Sequence, residues 1–108
     1  MSEFPCRLRV PARVLFEGGI EAAVLPGADG SFEVLARHGP LVAILGAGSC
    51  LLSAPGGARR FRLGGGVARV SGGELEILCR DASEEAESGS RDDRILREAL
   101  GDEGVARR

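Results

Sequence analysis

The chain has no lysine, no tryptophan and no tyrosine, and only one histidine, in 108 residues. Each shortage removes a class of function. All 14 basic side chains are arginine, 16 acidic ones outnumber them, and the formal net charge is −2. A general nucleic-acid binder needs a basic surplus to displace phosphate counterions, so that class is set aside. The missing Tyr and Trp also remove the usual platform on which single-stranded bases stack. Three cysteines, an odd number without metal-type spacing, read as free thiols in a reducing compartment. No apolar run approaches the ~20 residues that cross a bilayer as a helix. The start, Met1 to Pro5, has neither the charged region nor the apolar region of a secretory leader. The expectation is a soluble, cytoplasmic protein that meets a membrane only through a partner.

What the chain does have is glycine and alternation. Seventeen Gly and five Pro punctuate a sequence that is 44% hydrophobic, which suits many short strands in one domain. Cys6 to Val10 alternates apolar and basic residues, the period of a half-buried strand. Arg13 to Glu17 resumes after Pro11, and Ile20 to Leu25 follows with Ile20, Ala22 and Val24 expected on one face. Pro26-Gly27-Ala28-Asp29-Gly30 is a turn, and His38-Gly39-Pro40 a second corner. Leu41 to Leu45 is apolar throughout, so either both faces are covered internally or one meets a partner. Ser49 to Ser53 and Arg59 to Leu63 are strands around the turn Ala54-Pro55-Gly56-Gly57, with Phe61 and Leu63 inward. Val67 to Val70 and Glu74 to Arg80 flank Ser71-Gly72-Gly73, a hairpin turn, with Leu75, Ile77 and Cys79 on one face. The pattern predicts a mainly β fold: an eight- to ten-stranded antiparallel β-sandwich or flattened barrel over residues 1–82.

The character changes beyond it. Residues 83–89 are acidic and read as a linker. Residues 90–108 read as one short helix and a frayed tail, with Ser90 as cap, Asp92 and Asp93 at the positive end and Gly101 at the stop.

The chemistry-bearing residues are weak as catalysts. His38 with a cysteine suggests a thiol nucleophile, but all three Cys lie in strand-like runs, where Cys behaves as a small buried hydrophobe. Gly64-Gly65-Gly66 lacks the Lys-Ser/Thr and the strand-to-helix context of a phosphate loop, so a bulge or a close backbone approach is the simpler reading. Arg59, Arg60 and Arg62 read as a solvated strand face. No catalytic residue, metal ligand or cofactor site is assigned. A well-patterned β-domain without a chemical constellation suggests an interaction module. The reading from another class is a small soluble β-barrel enzyme or ligand-binding protein using His38 and nearby Arg residues.

Leu8-Arg9-Val10-Pro11, Val14 to Gly18, Val24 to Phe32 and His38 to Leu41, followed by Leu63 to Val70 and Leu75 to Leu78, resemble in order and spacing the N-terminal domain of the F-type ATP synthase epsilon subunit. The resemblance runs from about Cys6 to Ala82. It implies a ten-stranded sandwich and a non-catalytic rotor subunit that binds the gamma subunit and sits on the polar loops of the membrane c-ring. By the same resemblance Asp29, Gly30, Ser31 and Phe32 face the c-ring, and His38, Leu41 and Val42 lie toward gamma. The expected location is the bacterial cytoplasm, on the cytoplasmic face of the inner membrane as part of F1. The family usually carries a C-terminal two-helix hairpin that can inhibit ATP hydrolysis and in some members binds ATP. The 26 residues that follow Ala82 are too few for that hairpin, so little self-inhibition and no ATP site are expected.

Overall fold

The period-two pattern becomes eight β-strands and, among the described residues, no helix. The structure is a computed structural model that describes residues 2–85. The strands are β1 (Phe4–Val10), β2 (Arg13–Ile20), β3 (Ala22–Gly27), β4 (Gly30–Leu35), β5 (Leu41–Ala54), β6 (Gly57–Ser71), β7 (Glu74–Cys79) and β8 (Ala82–Glu85). They form one open sheet in the order β2-β1-β7-β6-β5-β3-β4, with β8 beside β6. The flattened-barrel alternative is therefore corrected, because no ladder joins β2 to β4. The all-antiparallel expectation is corrected as well. β1 and β7 run parallel, pairing Cys6 with Leu75 and Arg9 with Leu78, as two strands far apart in sequence are free to do.

Two long strands make the layers. The segments 41–45 of β5 and 66–71 of β6 join β7, β1 and β2 in one layer. The segments 51–53 and 57–63 of the same two strands join β3, β4 and β8 in the other. Sequence reading divided β5 and β6 at their glycines; the structure carries both strands through. At Gly65 the backbone takes φ 103°, a conformation that favours glycine. At Gly66 β7 lies so close that an added Cβ would overlap the Leu78 carbonyl oxygen, which makes this segment a close backbone approach. The β3–β5 ladder is also interrupted, between Val24 and Gly27. Pro26 sits in that gap, where its missing N–H costs no bond.

The connections follow from turn chemistry. Ser71 pairs with Glu74 across Gly72 and Gly73, whose φ values of 60° and 79° give the twist that a two-residue hairpin needs. Between the layers lies one core: Leu8 and Cys6 of β1, Phe16 and Ile20 of β2, Leu25 of β3, Val34 of β4, Cys50 and Leu52 of β5, Phe61, Leu63 and Val70 of β6, and Leu75, Ile77 and Cys79 of β7. Phe16 meets Phe61 edge to face across the layers, with ring centroids 6.4 Å apart, a geometry aromatic quadrupoles favour. The inward settings of Phe61, Leu63, Leu75, Ile77 and Cys79 are as the alternation required. The face expected for Ile20, Ala22 and Val24 is not. Ile20 ends β2 and is buried, but the chain breaks at Glu21, and in β3 the buried residues are Ala23 and Leu25. A one-residue interruption reverses the parity of a strand.

The last strand corrects the linker expectation over 83–85. β8 pairs with 60–63 of β6. Arg59 donates two hydrogen bonds to the Glu84 carboxylate, at 2.7 and 2.9 Å, and its guanidinium lies 5.1 Å from the Phe16 ring centroid and 5.6 Å from that of Phe61. Arg62 pairs with Glu85. Cross-strand charge complementarity turns an acidic segment into an edge strand. The remainder of the linker, the helix expected from Ser90 and the frayed tail lie outside the described residues.

Candidate partner interface

Core packing consumes only one face of each layer. On the outer face of the layer built from β2, β1, β7, β6 and β5, register places side chains in rows across the strands. One row is Ile44, Val67, Leu78, Arg9 and Val14. Four of these five are apolar and exposed: Ile44 63%, Val67 37%, Leu78 46% and Val14 46%. The next row is Val42, Arg69, Glu76, Arg7 and Glu17. There Val42 is 68% exposed, while Arg69 pairs with Glu76 at 3.3 Å and Arg7 with Glu17 at 2.7 Å. The Glu17 carboxylate beside Arg7 raises its pKa, first through the hydrogen bond and then through charge. The layer thus presents an apolar stripe bordered by a neutralised charge ladder, which is the composition of a docking surface.

A bulge sets the stripe's far end. In β2 the register against β1 shifts so that Phe16 faces Leu8 and Val14 faces Arg9, leaving Leu15 as the extra residue. Leu15 and Phe16 both pack on the core. Without the shift Leu15 would stand opposite Arg9 instead of Val14; the bulge re-aims the strand. Arg9 is half-buried in the row, and its Nε has no hydrogen-bond partner.

The residues expected to face partners fall into two groups. Asp29 lies in the two-residue turn between β3 and β4, closed by the pairing of Gly27 with Gly30. Asp29, Gly30 and Ser31 are exposed, whereas Phe32 is half-buried against the core. The turn is anchored to β5, since the Ala28 N–H donates to the Ile44 carbonyl at 2.9 Å. A groove of about 440 Å³ runs between the two, lined by 27–32 on one side and by Val42, Ala43 and Ile44 on the other. The structure therefore brings Asp29, Gly30, Ser31 and Phe32 together with Val42. Leu41 turns the other way, onto the core. His38 stands apart on the β4–β5 connection after Arg37, which has φ 68°. It is exposed, and its Nδ1 lies 2.8 Å from the Gly39 carbonyl. Ile44, Val67, Leu78, Val14 and Arg9 were not singled out as site residues. Part of their signal was present in the sequence: Leu78 occupies the outward parity of a strand whose inward positions Leu75, Ile77 and Cys79 fill, whereas Val14 shares the parity of the buried Phe16 and is turned outward only by the bulge.

The candidate nucleophiles are out of reach. Cys6, Cys50 and Cys79 are all free and buried in the core. Burial pushes their thiols up to about 12, 12 and 11 respectively, so the reactive thiolate is suppressed. Among the described residues His38 has no side-chain hydrogen-bond or ion-pair partner, its ring's only hydrogen-bonding contact being with the Gly39 carbonyl, and no Cys-His or Arg-His constellation is assembled.

Comparison with known proteins supplies the remaining finding. The family model described as the ATP synthase delta/epsilon chain β-sandwich domain matches residues 3–85. The ATP synthase epsilon chain of Rhodopseudomonas palustris (strain BisB5) is 35% identical over 92 residues, which is 85% of this chain and 68% of that one. The chain thus spans about two thirds of that relative's length. Among solved structures, a chain of the Euglena gracilis mitochondrial ATP synthase (OSCP, F1 and c-ring) superposes with a TM-score of 0.73 at 22% identity, covering 94% of this chain and 66% of that one. A chain of the Tetrahymena thermophila mitochondrial ATP synthase central stalk and c-ring superposes with a TM-score of 0.65 at 11% identity, covering 92% of each. At such identities these two likenesses speak to the fold.

Proposed function

From the chain's membership of the ATP synthase epsilon-subunit family, whose β-sandwich domain it carries, we propose that it is a non-catalytic central-stalk subunit joining the gamma shaft to the c-ring of a proton- or sodium-translocating F-type ATP synthase. The observation that carries the reading is the exposed apolar stripe, Ile44, Val67, Leu78 and Val14 with Val42 beside it. A fold that buries eighteen core residues and still leaves five aliphatic side chains together in solvent has an unused docking face. Val42 and Ile44 meet gamma; Leu41, packed on the core, fixes the strand that presents them, and His38 lies at the margin. The turn Asp29-Gly30-Ser31-Phe32 faces the polar loops of the c-ring. The shared groove makes the two contacts neighbours, so one rigid body touches shaft and ring together. In a bacterium like the first relative, the subunit sits on the cytoplasmic face of the inner membrane and reaches the membrane only through the complex.

The test is reconstitution of this chain with F1 purified without its epsilon subunit. Stoichiometric assembly, retained through size-exclusion chromatography and lost without gamma, is the expected result. A well-folded chain that elutes separately from F1 at micromolar concentration overturns the reading.

A further inference from the structure

Each of β1 to β7 buries at least one side chain, whereas none of the four residues of β8 is buried. Only Ala82 touches the margin of the core. β8 has a single neighbour, 60–63 of β6. β7, which precedes it, is fixed by the buried Leu75, Ile77 and Cys79 and by ladders on both sides. The change from one regime to the other falls at Arg80 and Asp81, which lie between the two strands. There the Arg80 N–H donates to the Gly65 carbonyl at 3.2 Å, and the Asp81 carbonyl accepts from the Gly64 N–H at 2.9 Å. Beyond that point the side-chain grip is charge alone: Arg59 on Glu84 through two bonds, and Arg62 on Glu85. All four side chains are 35–63% exposed, so water and salt screen both pairs. Against that grip stands the conformational entropy of an ordered edge segment.

We propose that β8 is a releasable strap. It peels from β6 as a unit about a pivot at Arg80 and Asp81 while the sandwich stays folded, and the Arg59–Glu84 fork is its latch. Arg59 suits that role because Glu84 is not its only anchor. Its guanidinium lies 5.1 Å from the Phe16 ring centroid and 5.6 Å from that of Phe61, a contact that survives release and keeps the two rings covered. Opening therefore costs the sandwich no fully buried side chain. The consequence is reach. Four residues freed from the ladder extend by at most about 3.3–3.6 Å each. Release thus carries the point from which residue 86 continues outward by up to roughly 13 Å. Ionic strength sets the balance, because it screens the latch and leaves the apolar core alone.

Native-state hydrogen exchange of the full chain, at low and high salt, compares the parent with Glu84→Gln and Ile77→Val. The ladder amides that join 60–63 to 82–85 should exchange together, with protection about 100-fold or more below that of the β1–β7 ladder. Glu84→Gln should lower the strap's protection by about 2- to 5-fold at low salt. Added salt should lower it in the parent and hardly at all in that variant. Ile77→Val truncates a core contact that the open strap leaves intact. It should lower β1–β7 protection by about 2- to 10-fold and leave the strap's unchanged. Equal protection of the two ladders, or a fall in the strap's protection with Ile77→Val, overturns the proposal, since β8 would then leave only when the whole sandwich unfolds. Unchanged strap protection in Glu84→Gln at low salt also overturns it, because the fork would not be the latch. The measurement uses the chain alone, so its outcome is independent of the reading of the outer stripe as the gamma contact.

Discussion

Truncating Ile44 to alanine separates what the fold needs from what a partner needs. Fully burying an isoleucine side chain is worth about 1.5–3 kcal/mol. In the free chain Ile44 keeps 63% of its surface in water, so roughly three fifths of that sum, ~1–2 kcal/mol, is still to be gained on docking. The share already spent on folding is the smaller one, about 0.5–1 kcal/mol. Ile44→Ala should therefore weaken binding to epsilon-free F1 by about 5- to 30-fold. Its unfolding free energy should fall by no more than about 1 kcal/mol. Isothermal titration against F1 and chemical denaturation of the free chain read the two numbers independently. The heat-capacity change on binding should also become less negative, because less apolar surface is covered. The reasoning fails if Ile44→Ala costs more in folding than in binding. That result would mean the side chain completes the core and that its exposure is incidental.

Two further outcomes follow from charge and burial. The Arg59 hydrogen bond holds Glu84 below the ordinary glutamate range. That contribution is present above the unfolded-state value and is lost as pH falls through the depressed folded one. Because both partners are partly exposed, Glu84→Gln should cost only about 0.2–1 kcal/mol at neutral pH, and less in high salt, as read by urea denaturation at two ionic strengths; an unchanged midpoint at low salt refutes the clasp. The thiols have the opposite sign. Their folded values lie above the ordinary 9.0, so the stability they contribute is full below that value and declines as pH rises through it toward 12. A chromogenic disulfide reagent at pH 8 should find no fast-reacting thiol among Cys6, Cys50 and Cys79 in the native chain and all three in denaturant; rapid labelling of any one refutes its burial.

Much of the fold was legible because alternation and glycine turns are local. Phe61, Leu63, Leu75, Ile77 and Cys79 faced inward as their spacing demanded, and Gly72-Gly73 marked its hairpin. What local pattern does not carry is pairing. The parallel union of β1 with β7 depends on residues about 70 positions apart. The continuity of β5 and β6 through their glycines depends on neighbours able to complete the ladder. β8 was hidden for a related reason: Glu84 and Glu85 read as solvent-loving until Arg59 and Arg62 are placed opposite. The interface was half legible. Leu41 to Leu45 was too apolar for a strand with one covered face, and the structure leaves Val42 and Ile44 of that run exposed. The remainder of the stripe exists only once register aligns four other strands beside it.

The continuity of β5 and β6 has a mechanical meaning. Where two layers are held by side-chain packing alone, they resist sliding only through weak dispersion contacts. Here two main chains cross from one layer to the other, hydrogen-bonded to each other on both sides of the crossing. A load applied at the outer stripe would thus pass to the opposite layer along covalent backbone, through Leu45–Ala47 of one strand and Gly64–Gly66 of the other.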